Sequence, residues 1–207
     1  MNTINDFHGE NFFLSNFYEH PFYYNGLQWK TVEHAFQAAK CLRTDEYDKI
    51  HAAKTPGEAK RLGRKVSLRP DWDEARNDVM RECLLMKFLT NPELLEKLCA
   101  TKDTLIIEGN TWNDRYWGQV RDAQGQWNGQ NMLGKLLMEI RDNYLAGNYC
   151  WVAVDAFEVK KPRILKVFKN LDDAKSFIAK QTARMITHNH TTPFEAGCFR
   201  ITPILYG

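Results

Sequence analysis

The sequence predicts a mainly α (α+β) protein: a helical domain over residues 1–147, entered through short strands, then a small β-rich extension of ββαβ order over residues 148–207. Three observations carry that reading. Between residues 31 and 144, segments with apolar residues at helical spacing follow cap signals. The first 25 residues are instead aromatic-rich and turn at Asn25-Gly26, a strong hairpin signal. Beyond Gly147-Asn148 the apolar residues alternate as they do along a strand.

The elements follow in order. Phe7, Phe12, Phe13, Phe17, Tyr18, Phe22, Tyr23 and Tyr24 supply the short N-terminal strands. The first helix is expected from about Thr31 to Leu42. Thr55-Pro56-Gly57-Glu58 is a capping box with proline at the first helical position, starting a short helix that ends near Lys65. A long helix covers about Asp73 to Leu89, with Ala75, Val79, Cys83 and Met86 at helical spacing. Asn91-Pro92 repeats the cap-plus-proline start for a helix ending near Cys99. Thr104 to Glu108 reads as a strand, followed by a loop to Gly118 that contains Trp112, Asp114, Tyr116 and Trp117. The last helix of this part spans about Asn131 to Tyr144, with Leu133, Leu136, Leu137, Ile140 and Tyr144 as its buried stripe. In the extension, Trp151 to Val159 and Ile164 to Phe168 read as strands, Asp172 to Gln181 as a helix and Phe199 to Leu205 as a last strand.

Composition bounds the function. A net charge of only +2, with both signs interspersed, argues against a protein that coats nucleic acid but leaves room for a local phosphate pocket. The five cysteines form no CxxC pair and read as reduced thiols, with Cys83 in the core. No apolar h-region opens the chain and no apolar run approaches the ~18 residues of a membrane span, so a cytoplasmic location without membrane association is expected. His188-Asn189-His190 lacks an acidic or thiol partner and is not read as a metal site. No dinucleotide-binding, P-loop or nucleophile-elbow pattern is present.

The chemistry concentrates elsewhere. On the first helix, Glu33, Gln37 and Lys40 lie along one stripe, so a carboxylate, an amide and an ammonium project together. Glu33 sits among Val32, Ala35 and Phe36; a half-buried carboxylate near an ammonium is a candidate general acid or base, with a structural salt bridge as the simpler reading. Trp72, Trp112 and Trp117 are either core or stacking platforms for a base or sugar. Asn113-Asp114 suits a tight turn, but Asp114 between two tryptophans is also a candidate second carboxylate. Arg61, Arg64, Lys65, Arg69 and Arg76 form a solvated basic stretch, within which Arg64 after Gly63 could grip a phosphate.

Taken together, these residues resemble the YbiA/NADAR family of N-glycosidases over roughly residues 5 to 145. The resemblance rests on Leu14-Ser15-Asn16-Phe17, on the Trp29-x-Thr31-x-Glu33-His34-x-Phe36-Gln37-Ala38-x-Lys40 run, and on Gly63-Arg64. It continues through Trp72, Met80, Lys87-Phe88, Asp114-x-x-Trp117-Gly118 and Asn131-x-Leu133-Gly134-x-x-Leu137-Met138-x-x-Arg141. It implies a compact, mainly helical YbiA-like domain that cleaves an N-glycosidic bond. One branch of the family acts on phosphoribosylamino-pyrimidine intermediates of riboflavin synthesis, and another removes ADP-ribose from guanine bases. The positions most tied to activity fall on Glu33, Trp72, Asp114 and Trp117. The segment after Gly147 lies outside the pattern.

The mechanism this implies needs neither a metal nor an organic cofactor. Glu33 would be the principal acid/base, and Asp114 the charge stabiliser or ribose-hydroxyl ligand. Trp72 and Trp117 would sandwich the heterocycle, Arg64 would contact phosphate and Asn16 would make a polar substrate contact. Lys40 would either tune Glu33 or attack the opened ribose as an amine. The partner implied is a small phosphoribosyl compound or an ADP-ribosylated base, the latter on nucleic acid. A module that binds ADP-ribose or NAD without turnover is the reading from another class.

Overall fold

The computed structural model describes residues 2–155, 163–170, 172–180 and 199–205. Chain contacts divide it into two units, Met1–Asp142 and Asn143–Gly207.

The first unit opens with β1 (Thr3–Ile4), which pairs in parallel with the distant β4 (Leu105–Ile106). A 3₁₀ helix (Gly9–Leu14) follows. Strands β2 (Phe22–Tyr24) and β3 (Leu27–Trp29) form the expected hairpin, with Asn25 and Gly26 both at positive φ as a two-residue turn requires.

Helix α1 (Val32–Ala38) is shorter than the expected Thr31–Leu42. Thr31 caps its start by accepting from the His34 amide at 3.3 Å. Its end is set by tertiary pairing: the Lys40 carbonyl accepts from Arg69 N at 2.8 Å, and Leu42 N donates to the Ser67 carbonyl at 2.8 Å. Lys40 therefore lies beyond the helix that carries Glu33 and Gln37. Helix α2 (Thr44–His51) escaped the sequence reading, because only Ile50 of its eight residues is buried and no apolar stripe announces it.

Helices α3 (Pro56–Gly63) and α5 (Pro92–Ala100) start at the cap-plus-proline signals read from the sequence, and α4 (Trp72–Leu89) starts one residue before the expected Asp73. A short hairpin, β5 (Val120–Arg121) with β6 (Trp127–Asn128), precedes α6 (Met132–Leu145). In α6, Leu133, Leu136, Leu137 and Ile140 are buried, each contributing about 1.5–3 kcal/mol of apolar burial; Tyr144, expected in the same stripe, is exposed.

Every residue of α1 is buried, the polar Glu33, His34 and Gln37 included, and the helix packs against α2, α3 and α4. A helix buried all round must satisfy its polar groups internally. His34 does so through Thr31 Oγ1 at 2.8 Å and the Ala53 carbonyl at 3.3 Å, and burial lowers its pKa. His34 is thereby a structural residue, whereas Glu33 and Gln37 border a cleft.

In the second unit, β7 (Tyr149–Asp155) is the centre of a three-stranded antiparallel sheet between β8 (Arg163–Phe168) and β9 (Phe199–Leu205). Helix α7 (172–180) comes between β8 and β9 in sequence. The His188-Asn189-His190 segment lies outside the described residues. No helix among the described residues is long and apolar enough to cross a membrane.

Candidate active site

The first unit contains a cleft of about 670 Å³ whose walls come from the N-terminal loop, α1, α3 and the loop after β4. Its polar floor is built on α1. The Glu33 amide donates to the Asn16 carbonyl at 3.0 Å, locking the helix start to the loop. One turn on, Gln37 Nε2 donates to Glu33 Oε1 at 2.8 Å. Gly63 makes this arrangement possible, since a Cβ there would stand 2.0 Å from Gln37 Oε1.

Three cations share the cleft with Glu33: Lys40 just past α1, and Lys60 and Arg64 on and after α3. Burial raises the Glu33 pKa, opposed by Lys60, by the Gln37 hydrogen bond, by Lys40 and by Arg64. Burial in turn lowers the Lys40 pKa, with Glu33 pulling it back up. The Lys40 ammonium lies over the rings of Phe36 and Trp72, at 5.5 and 5.8 Å from their centroids. Lys60 lies 5.5 Å from the Phe17 ring centroid and 5.9 Å from that of Trp112.

The N-terminal wall is held from below by Lys87. This side chain is 1% exposed and donates to the carbonyls of Phe13 at 2.6 Å and Ser15 at 2.9 Å. Burial pulls its pKa down to about 7. Asn16 Nδ2 reaches Met80 Sδ at 3.5 Å, while Asn16 Oδ1 is buried with no protein partner. Met80 and Lys87 thus support the loop that presents Asn16.

The facing wall is a clipped loop. Asn131 donates to the Ile106 carbonyl at 2.8 Å and accepts from the Glu108 amide at 3.0 Å, which fixes where Glu108 enters the cleft. Asn110 accepts from Asp114 N at 2.9 Å and donates to the Asp114 carbonyl at 2.8 Å. Asp114 Oδ1 accepts from the amides of Tyr116 and Trp117 at 3.0 and 2.9 Å. Asp114 is therefore both the turn residue and a cleft carboxylate. Gly118 passes so close to the Glu108 carbonyl that a Cβ would stand 2.2 Å from it.

Of the residues singled out from sequence, Asn16, Glu33, Lys40, Arg64, Asp114 and Trp117 line this cleft. Trp72 does not. It is buried at the start of α4, its ring 5.1 Å from that of Phe36, and Phe36 in turn is 5.4 Å from Trp117. Phe36 thus stands between Trp72 and Trp117, and it lines the cleft with Trp117, Phe7, Phe12, Phe17 and Trp112, while Trp72 lies behind Phe36 and Lys40. The sequence reading missed Lys60 and Glu108. Lys60 had a signal, because it precedes Arg64 by one helical turn. Glu108 had a fainter one, as a lone charge closing the apolar run Leu105-Ile106-Ile107. Among the described residues, no cluster of three or more His, Cys, Asp or Glu side chains could hold a metal ion.

Comparison with known proteins places this geometry in a family. The NADAR domain model matches residues 5–144. N-glycosidase Npun_R5314 of Nostoc punctiforme is 41% identical over 134 residues, spanning 62% of this chain and 83% of that protein. N-glycosidase YbiA of Escherichia coli (strain K12) is 40% identical over 131 residues, 62% of this chain and 79% of that protein. The chloroplastic riboflavin biosynthesis protein PYRR of Zea mays is 35% identical over 129 residues, 56% of this chain and 20% of that protein. The NMR structure of E. coli YbiA superposes with a TM-score of 0.62 at 36% identity, covering 70% of this chain and 86% of the other. With the family model spanning more than half of the sequence and the whole cleft, the chain belongs to the NADAR family of N-glycosidases.

Proposed function

We propose that this N-glycosidase cleaves the bond between ribose C1′ and the nitrogen of a phosphoribosylamino-pyrimidine, an intermediate of riboflavin synthesis. The observation that carries the reading is the composition of one cleft: the buried carboxyl of Glu33 and the carboxylate of Asp114 together with Lys40, Lys60 and Arg64. Breaking the C1′–N bond develops positive charge at C1′, which carboxylates stabilise. A phosphate on the same small molecule needs cations nearby, and Lys60 and Arg64 offer them. Relatives named for riboflavin biosynthesis support the choice of substrate.

In this reading Glu33 activates the water, and Asp114 stabilises C1′ or binds a ribose hydroxyl. Phe36 and Trp117 hold the heterocycle, Asn16 contacts it through its unpartnered Oδ1, and Arg64 takes the phosphate. The chemistry is acid–base and electrostatic throughout.

A second substrate, an ADP-ribosylated guanine, is favoured by one observation. Trp112 is 59% exposed at the cleft beside Lys60, an additional stacking face for a second base. A module that only binds would have no use for buried carboxyls, which are costly to maintain.

The test is turnover followed by mass spectrometry, with wild type and Glu33→Ala each given the phosphoribosylamino-pyrimidine and an ADP-ribosylated guanosine. Release of ribose phosphate from the first alone, lost in the variant, is the expected result. Cleavage of the second moves the enzyme to nucleic-acid substrates. Ligand binding without product from either substrate makes the chain a sensor.

A further inference from the structure

We propose that Glu108 is the acid that protonates the departing nitrogen, leaving Glu33 to activate the water. The proposal rests on the N-glycosidase reading above and divides between two carboxyls the work first given to one.

Glu108 lines the same cleft as Glu33 and Asp114, and its Oε2 is buried with no protein partner. Natural structures rarely leave a buried carboxyl oxygen unpaired, so one that borders a ligand-sized cleft is a natural site for a substrate atom. The backbone beneath it is fixed on both sides: its amide donates to Asn131 Oδ1 at 3.0 Å, and its carbonyl accepts from Gln119 N at 2.9 Å. The side chain therefore leaves a rigid base, which a proton donor needs if it is to meet one atom of a bound substrate.

The charged surroundings separate the two glutamates. Glu108 is acted on by the like charges of Asp114 and Glu33 and by one cation, Lys60. Burial first, then Asp114, pushes its carboxyl up to about 8, so it holds its proton at neutral pH. Burial raises the Glu33 carboxyl as well, but there Lys60, the Gln37 hydrogen bond to Oε1, Lys40 and Arg64 all act against it. Of these two raised carboxyls, only Glu33 is given three cations and an amide donor, the partners that an ionised form needs. A paired acid and base is set up in this way.

The step balances. The C1′–N bond breaks and its electron pair goes to the nitrogen, which takes the Glu108 proton. The water oxygen bonds to C1′ as its proton passes to Glu33. The products are the amino-heterocycle and a ribose phosphate with a C1′ hydroxyl. One proton relayed from Glu33 to Glu108 through solvent restores both groups.

The experiment compares wild type, Glu108→Gln and Glu33→Gln on two substrates. The first is the phosphoribosylamino-pyrimidine. The second is a ribosyl-pyridinium phosphate, whose ring leaves as a neutral base and needs no proton. Glu108→Gln is expected to lose about 10²-fold or more in kcat on the first yet stay within about threefold on the second, while Glu33→Gln loses on both. The basic limb of the wild-type pH profile on the first substrate should vanish in Glu108→Gln. Equal losses on both substrates, or no loss on the first, overturn the proposal. If wild type leaves the pyridinium intact, the limb decides alone, and its persistence in Glu108→Gln overturns the assignment. Wild type cleaving neither substrate overturns the N-glycosidase reading itself, and the acid role with it.

Discussion

The side-chain amide of Gln37 donates a 2.8 Å hydrogen bond to Oε1 of Glu33, and it can do so because residue 63 has no side chain. A Cβ at Gly63 would meet Gln37 Oε1 at 2.0 Å, Cδ at 2.8 Å and Cβ at 2.9 Å. Gly63 belongs to α3, which packs directly on α1, so neither helix can retreat without disturbing the core. The glycine is thus a fixed condition for the geometry of Glu33.

Gly63→Ala should therefore push Gln37 off Glu33. Overpacking of this kind costs about 1–3 kcal/mol, and turnover should fall with it. The double variant Gly63→Ala, Gln37→Ala removes the contacts with Oε1 and Cδ and leaves the 2.9 Å approach to Cβ, so thermal unfolding should recover part of the way to wild type while turnover remains low. Stability losses that simply add in the double variant would show that the two side chains do not compete for this space.

The protonation of Glu108 has a consequence for folding. Its carboxyl titrates at about 8 in the folded chain against an ordinary 4.5, so over that interval the folded chain holds a proton that the unfolded chain has lost. The stabilisation from this group is complete below 4.5 and drains away as pH rises to about 8. Urea unfolding of wild type and Glu108→Gln across this range should show the wild-type advantage shrinking as pH rises. A constant difference would mean that Glu108 is already ionised in the folded chain at neutral pH.

Local signals explain what was legible in the sequence. Thr55-Pro56 and Asn91-Pro92 started helices where capping chemistry says they should, and Asn25-Gly26 turned a hairpin. The spacing of Glu33 and Gln37 placed both on one face of α1 because i and i+4 lie one turn apart. Features that depend on distant residues were not legible. Lys40 leaves the helix because its carbonyl pairs with Arg69, and β1 exists only through Leu105–Ile106, about a hundred positions away. Trp72 reads from sequence as either core or a stacking platform, and the structure buries it at the start of α4 beside Phe36. Glu108 had no partner in sequence to mark it, because the groups that act on it, Glu33, Lys60 and Asp114, meet only in the folded chain.

Lys87 gives a prediction of opposite sign. Its amine loses a proton at about 7 when folded and near 10.5 when unfolded, so across that window the unfolded chain binds more protons. Its share of stability should rise with pH between the two values, and Lys87→Met should abolish the rise. The variant also strips the donors from the carbonyls of Phe13 and Ser15, at about 1–3 kcal/mol for each group left unsatisfied. Because Asn16 follows directly, KM should increase more than kcat falls. Unfolding curves with steady-state kinetics on Lys87→Met check both parts, and a kcat-only loss would separate Lys87 from the binding loop.

Lys40 stands over Phe36 and Trp72 with its charge stabilised by both rings and by Glu33. It is also one of the cations that oppose the rise burial imposes on the Glu33 pKa. If tuning Glu33 is its role, Lys40→Met should let burial raise that carboxyl further, moving the acid limb of kcat/KM up by about one pH unit as kcat falls. Trp72→Ala, which removes one of the two rings beneath Lys40, should shift the limb in the same direction by less. Borohydride added during wild-type turnover should then trap nothing. A trapped adduct that is missing from Lys40→Ala would mean instead that the amine attacks the opened ribose, a reaction open to a lysine whose burial lowers its pKa. The two roles leave different traces, a displaced limb for the first and a covalent product for the second, so one set of variants decides between them.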